Sequence, residues 1–386
     1  MSHSQLDFFA QEDPAAQALT QPKRRTSTVR RRVVDPLAVA AAAEPVVAPE
    51  AVPAVAAVAA VAVAATPATV STTALSRSEA LETMALQLEA DIDYRVLRRL
   101  KPCLEWPLAN PLNAPFSSPQ SICHVVILDL ETTGLDHHKD RLMEMALLRV
   151  NVDVATGMPV GVVQVYDGLE DPGIPIPSEV QELTGIIPNM VQGQRLDEKR
   201  IAELLQGVHL VIAHNAGFDR PFAEARIPRF RELAWACSVV EIPWKMQGYR
   251  SAALESLALD WGWFYDAHRA EMDCHALLAV LAKPLPQTDI TGLGHLLDQL
   301  HHPAYNVSAT NAPFDAKDKL KMRGYRWSAE KKVWHTFILG AENLHAELDW
   351  LKAHIYLFRS AVVQVERLDA RVRYSGRSGE LQYHPL

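Results

Sequence analysis

The chain has 386 residues, 22% of them charged, and a formal net charge of -8. Its length allows one or two domains, and the near-balance of acids and bases removes overall charge as an argument for a nucleic-acid partner, so such a case must rest on local features. Four cysteines at 103, 123, 237 and 274 follow neither metal-ligand nor disulfide spacing, which fits small buried hydrophobes in a reducing cytoplasm.

The first residues lack the basic start and apolar core of a signal peptide. The longest apolar run, Ala54 to Thr66, is too short to cross a membrane, so no membrane partner is expected. Residues 10–75 read as a tether. Six basic residues and no acid lie between Pro22 and Arg32, and an Ala/Val/Pro tract follows, broken by prolines at 36, 45, 49, 53 and 67. The whole of 1–75 is therefore expected to be tail and linker. Apolar residues at 75, 81, 84, 88, 92, 96 and 100 predict a helix over 76–101, stopped by Pro102, within a lead-in that ends at 119.

An apolar run predicts a strand over 122–130. Met143 to Val152 and Val162 to Tyr166 predict two more, and their short connections require antiparallel pairing. Helices are expected at 178–184 and 197–206, a strand at 208–213, and further helices at 217–225, 251–259 and 269–282. Strands first, then alternating helices and strands, give an α/β domain at 120–285 with a mixed sheet flanked by helices. The C-terminal region, 286–386, contains a helical piece from Gly292 to Leu300 and a small basic aromatic unit at 311–338. That unit carries seven Lys or Arg against three acids, with Tyr325, Trp327 and Trp334. Residues 341–365 have helical character.

The chemistry concentrates in three places. Asp129 and Glu131 occupy alternate residues at the end of the first strand and so share a face. His214-Asn215-Ala-Gly-Phe-Asp219 follows the strand at 208–213, and His268-Arg-Ala-Glu-Met-Asp273 opens the last helix. Taken singly, an acid is more often a solvated surface residue, but Asp129 and Glu131 close an apolar strand. Phosphodiester hydrolysis needs an activated water, stabilised phosphoryl oxygens and help for the leaving oxyanion. Two Mg²⁺ or Mn²⁺ ions held by hard oxygen donors supply much of this, and a single His can take the proton.

With these three motifs in this order, residues 120–285 resemble the DEDDh group of 3'–5' exonucleases, related to the proofreading (epsilon) subunit of bacterial DNA polymerase III. The resemblance implies a ribonuclease-H-like fold and stepwise release of nucleoside monophosphates from a 3' end. It implies that Asp129 bridges two ions, that Glu131 and Asp273 ligate the tighter one, that Asp219 holds the second, and that His268 is the general base. A sibling group places Tyr four residues before the last Asp; here that position is Arg269. The resemblance also implies that Thr132, Thr133, Gly134 and Leu135 shape the pocket for the terminal nucleotide, and that Thr184, in Gln181-Glu-Leu-Thr-Gly-Ile186, touches it. Asn215 orients the second motif's turn or simply bonds its local backbone. Glu144 is expected to act structurally or behind the ligands, His214 to be packed, and Trp261 and Trp263 to pack on the core.

Gln5, Leu6, Phe8 and Phe9, in Gln-Leu-Asp-Phe-Phe, resemble the peptide by which bacterial replication and repair proteins dock on the sliding clamp. In the 311–338 unit, Lys321, Arg323, Arg326 and Lys332 suit phosphate contact, whereas Trp327 and Trp334 also suit a small core. The leading expectation is a two-metal exonuclease on single-stranded or frayed DNA 3' ends, in the bacterial cytoplasm and near the nucleoid, alone or with a polymerase complex. The alternatives are an RNA exonuclease and a non-catalytic DNA- or clamp-binding adaptor.

Overall fold

The structure, a computed structural model, describes residues 76–108 and 121–386. The peptide at 5–9 and the tract at 10–75 lie outside the described residues. The described residues fall into two units, divided after Ala90. In the first, α1 (Arg77–Glu89) starts at a capping box: Ser76 accepts from Glu79 N–H while the Glu79 carboxylate accepts from Ser76 N–H. This helix is shorter than the 76–101 predicted. The Asp91 carboxylate accepts from Asp93 N–H, a local turn that competes with helix, and Arg98–Arg99 is extended instead.

In the second unit, β1 (Arg98–Arg99) and β2 (Glu105–Trp106) precede three long strands, β3 (Ile122–Thr132), β4 (Leu142–Asp153) and β5 (Met158–Leu169). These three pair antiparallel, as their short connections require. Short helices α2 (Ser178–Thr184), α3 (Pro188–Val191) and α4 (Glu198–Leu205) lead to β6 (Leu210–Ala213), which runs parallel to β3. After α5 (Ala216–Arg226), β7 (Ala234–Cys237) extends the sheet to the order β2-β5-β4-β3-β6-β7. Then come α6 (Ser238–Glu241), α7 (Leu254–Asp260), β8 (Trp263–Phe264, paired with β1), α8 (Ala270–Leu281) and α9 (Gly292–Gln299).

Period-two alternation along β3 sets the two layers. Val125 and Ile127 pack on the side of α8, while Val126, Leu128 and Leu130 pack with residues of α4 and α5. Asp129 and Glu131 continue the first row, so they emerge on the α8 side at the end of the central strand. Among the described residues no helix is long and apolar enough to cross a membrane.

The basic segment 311–338 is the middle of a larger α/β unit. It consists of β9 (Ala304–Ala309), α10 (Lys317–Met322), β10 (Arg326–Ser328), β11 (Val333–Leu339), α11 (Ala341–His354), β12 (Val362–Leu368) and β13 (Glu380–Pro385). The sheet order is β10-β11-β9-β12-β13, antiparallel throughout, a split β-α-β-β-α-β arrangement with one added edge strand. Helical character was expected to run from 341 to 365, but α11 ends at His354. The alternation Val-Val-Gln-Val-Glu-Arg-Leu at 362–368 instead buries Val363, Val365 and Leu368 from a strand.

Residues 369–377, between β12 and β13, form a strap across the β7 edge of the first sheet. Ala370 C=O accepts from Trp235 N–H at 2.8 Å, pairing a backbone group that an open edge would leave to other chains. Arg220 of α5, fully buried, donates to the carbonyls of Arg373 (2.6 Å) and Arg371 (2.5 Å) and to Glu224 (2.6 Å). Arg373, 1% exposed, faces the buried Glu241 carboxylate at 3.2 Å, and Tyr374 OH donates to the same carboxylate at 2.9 Å.

Candidate active site

The three motifs converge. Asp129, Glu131 and Asp273 each place a carboxylate oxygen such that all three lie within 4.8 Å of one another. Asp219, in the first turn of α5 and 2% exposed, lies outside that triplet yet close enough to oppose ionisation of Asp129 and Glu131. Burial and then the neighbouring carboxylates push Asp129 and Glu131 well above the usual carboxylate range. Asp219 is raised chiefly by burial, although backbone N–H groups, including that of Leu130, resist the rise. Asp273 is raised to about 6 by burial, with Tyr265 and His268 pulling the other way.

Neighbouring groups hold Asp273 and the acid behind Glu131 in place. Asp273 accepts from Tyr265 OH at 2.9 Å on one oxygen and from His268 N–H at 2.8 Å on the other. His268 adopts a left-handed backbone, φ 65°, which brings its amide back onto Asp273. Glu144 is directly opposite Glu131 across the β3–β4 pair and has 0% exposure. Two like charges so placed would repel, and Arg269 answers them: it donates to Glu144 at 2.7 and 3.1 Å. Glu144 also accepts from Ala270 N–H at 2.9 Å, so it caps the helix that carries Asp273. The position that separates this chain from the Tyr-type sibling group is thus occupied by the counter-charge of a buried glutamate.

The residues expected around the terminal nucleotide divide into two groups. Leu135, 48% exposed, and the half-buried Asn215 are accessible; Asn215 takes φ 97° ahead of α5, and its carbonyl accepts from Phe218 N–H. Thr133 and Thr184 are 2% and 4% exposed, and their hydroxyls are engaged within the protein. Thr133 Oγ1 accepts from Arg141 N–H, while Thr184 Oγ1 donates to Val180 C=O and accepts from Ile186 N–H. Thr132 Oγ1 donates to Gly134 C=O at 2.6 Å. Gly134 lies close under Asp140: an added Cβ would sit 2.5 Å from a carboxylate oxygen that accepts from Asp136 N–H, and that carboxylate would have to shift.

His214 packs, as expected. Its ring nitrogens face Ser238 Oγ at 2.7 Å and Ala252 C=O at 2.8 Å, and burial pushes its pKa down to about 4. Trp261 and Trp263 stack at 6.4 Å against the core with Lys283 over both rings. In the C-terminal unit the four basic residues separate. Lys321 and Arg323 belong to α10 and its cap, and Arg323 is tied to buried Glu347 at 2.9 Å and stacks on Trp350. Arg326 and Lys332 belong to β10 and the turn after it.

Sequence reasoning missed Tyr265, the Arg269–Glu144 pair in its capping role, and the strap. One signal was available for the pair: an acid inside the apolar run Met143-Glu144-Met145 must be buried, and a buried acid needs a partner. Tyr265 lies eight residues before Asp273 but in the irregular segment ahead of α8, where no period relates the two, and the strap acts through contacts distant in sequence.

The exonuclease family model (RNase_T) matches residues 126–281. A DNA polymerase III PolC-type protein of Thermotoga petrophila is 30% identical over 125 residues, 32% of this chain and 9% of the relative. The DNA polymerase III subunit epsilon of Aquifex aeolicus is 26% identical over 169 residues, 42% of this chain and 80% of the relative. The chain therefore spans a small part of the PolC-type proteins and most of the epsilon subunit. Among solved structures, an Exonuclease X in complex with 5' overhanging duplex DNA shares 23% identity over 41% of this chain and 89% of that one, with a TM-score of 0.33. Residues 126–281 are a DEDDh-type exonuclease domain resembling those of PolC-type and epsilon DNA polymerase III proteins.

Proposed function

We propose that this protein is a two-metal 3'–5' exonuclease that releases nucleoside 5'-monophosphates from single-stranded or frayed DNA 3' ends. The carrying observation is the closeness of Asp129, Glu131 and Asp273, their oxygens within 4.8 Å of one another where burial and mutual repulsion oppose ionisation. Such a cluster calls for cations, and hard oxygen donors with no Cys ligand suit Mg²⁺ or Mn²⁺. Asp129 would be shared between two ions, Glu131 and Asp273 would serve the tighter one, and Asp219 the other. Bound there, the ions supply charge stabilisation to the phosphoryl oxygens and lower the pKa of water.

The remaining work belongs to this chain's own groups. His268 takes the proton of the attacking water, and the hydrogen bond its backbone N–H donates to the Asp273 carboxylate fixes base and ligand to each other. Tyr265 holds the second Asp273 oxygen. Leu135 wedges against the terminal base, with Asn215 on the same accessible side. Thr132, Thr133, Gly134 and Thr184 shape the pocket from behind, because their polar groups or space are already used. The likeness to PolC-type and epsilon proteins supports DNA as substrate and a polymerase assembly as company. Gln5, Leu6, Phe8 and Phe9 would add docking on the sliding clamp, which deletion of 5–9 in a clamp pull-down would abolish; undiminished capture would rule that peptide out.

Matched 5'-labelled DNA and RNA single strands test the enzymatic reading. The expected result is a ladder shortening from the 3' end of DNA with Mg²⁺ or Mn²⁺, none with EDTA, and none from Asp129→Ala or His268→Ala. Faster shortening of RNA would transfer the substrate to RNA. Wild-type rates from both variants would sink the mechanism.

A further inference from the structure

The helices of the C-terminal unit cover only one face of its sheet. Tyr305, Val307, Val363 and Val365 point into a core with Leu320 of α10 and Leu344 and Leu351 of α11. The two tryptophans singled out by sequence go with that side: Trp334 packs on this core, and Trp327, its cross-strand partner, meets it at 5.6 Å. The opposite face is open and forms a groove of about 790 Å³.

Strand register places one row of side chains across this open face. Arg326 is opposite His335, His335 opposite Ser308, Ser308 opposite Gln364, and Gln364 opposite Tyr383. Five strands at about 4.8 Å spacing make this row about 19 Å long. Tyr383 is 63% exposed, and Leu381 and Val362 beside it are 51% and 49% exposed. Lys331 and Lys332, both exposed, line the groove from the β10–β11 turn, and among the described residues neither ammonium has an acidic partner. The acid of the groove, Glu366, is turned to the Gly379 end, where it accepts from Gly379 N–H at 2.8 Å. A positive local field reaches the centre of the row, where Lys331 and Arg326 add to burial in lowering the His335 pKa.

We propose that this open face is a platform for an unpaired nucleic-acid strand, with Tyr383 and His335 stacking bases and Lys331 and Lys332 meeting phosphates. An aromatic ring lying open on a sheet is accessible to a base only when that base has left its duplex, and a row this long accommodates two or three bases. Ser308 and Gln364, between the rings, offer donors and acceptors to base edges. An acidic peptide would answer the lysines but leave the rings and the polar row without partners. The platform deepens the exonuclease reading on which it rests: it would hold the strand whose 3' end is being shortened, and so supply affinity apart from the acidic site.

Binding is measured on the full chain in EDTA, so that no strand is cut, by fluorescence anisotropy with a labelled single strand of roughly 16 nucleotides, the upper end of typical site sizes. Tyr383→Ala should weaken binding about tenfold. Lys331→Gln with Lys332→Gln should reduce the slope of log affinity against log salt by about 1.4, the value for two lost phosphate contacts on a single strand. Wild-type affinity in both variants would overturn the platform. So would equal binding of the fully paired duplex, or displacement by charge-matched polyglutamate as effective as by unlabelled single strand. Hydrolysis of the p-nitrophenyl ester of thymidine 5'-monophosphate with Mn²⁺, which has no strand to lay on the sheet, tests the acidic site separately. Its failure would count against the exonuclease reading, while the EDTA binding result alone decides the platform.

Discussion

Replacing Asp273 by Asn should stabilise the metal-free protein and remove the stabilisation that Mg²⁺ confers on the wild type. Asp273 is raised from 3.8 to about 6, and at 1.36 kcal/mol per unit its ionisation opposes folding by about 3 kcal/mol at pH 7.5. Partial exposure of the residue reduces this to about 2 kcal/mol. Asn copies the neutral acid: its Oδ1 can accept from His268 N–H while its Nδ2 donates to Tyr265 OH, so both hydrogen bonds survive. For the unit Asp91–Leu386 the gain corresponds to roughly 3 °C in Tm. The sign follows from linkage. Because the folded-state pKa is above the unfolded one, the penalty is full above about 6, shrinks as pH falls, and is gone below the unfolded value near 4. Differential scanning fluorimetry in EDTA from pH 7.5 to 4, repeated with Mg²⁺ at pH 7.5, reads all three expectations. The reasoning fails if Asp273→Asn lowers the metal-free Tm at pH 7.5, or if Mg²⁺ raises both proteins equally.

Arg373→Met leaves the Glu241 carboxylate buried without its cation and should cost about 3–5 kcal/mol in urea titration, with Arg373→Lys recovering part. A loss below about 1 kcal/mol would show that the strap is not tied there. Gly134→Ala drives a methyl into the Asp140 carboxylate and should cost about 1–3 kcal/mol; an unchanged Tm would contradict the tight approach. His214 is held neutral, its pKa lowered to about 4, so the stability it contributes is full above the unfolded value near 6.5 and is lost as pH falls toward 4. The stability advantage of wild type over His214→Gln should therefore shrink by about 3 kcal/mol between pH 7 and 4, and a constant difference would show that the imidazole is not buried neutral.

The exonuclease sheet was readable because its strands are long and locally patterned. Val125 to Leu128 form an unbroken apolar run, and the connections from β3 to β5 are too short for any pairing but antiparallel. The acidic residues were readable because each closes or opens a recognisable element. The four-residue β7 was missed: Ala-Trp-Ala-Cys has no period long enough to separate it from a loop, and its place is fixed by β6 and by the strap. The C-terminal sheet was read as a small basic unit followed by a helix, because β9 and β12 find their partners across the whole unit and not in adjacent turns. Arg323 illustrates the limit at a single side chain. Sequence presents it as one more cation in a basic run, whereas Glu347 and Trp350 engage it in packing.

The central claim is metal-dependent hydrolysis from a 3' end by the Asp129 cluster, and the product of the first turnover on a 3'-end-labelled single strand tests it most directly. The account predicts a labelled nucleoside 5'-monophosphate from the wild type with Mg²⁺ and no labelled product from Asp129→Asn. A labelled fragment longer than one nucleotide, or the same mononucleotide released by Asp129→Asn at the wild-type rate, would contradict it.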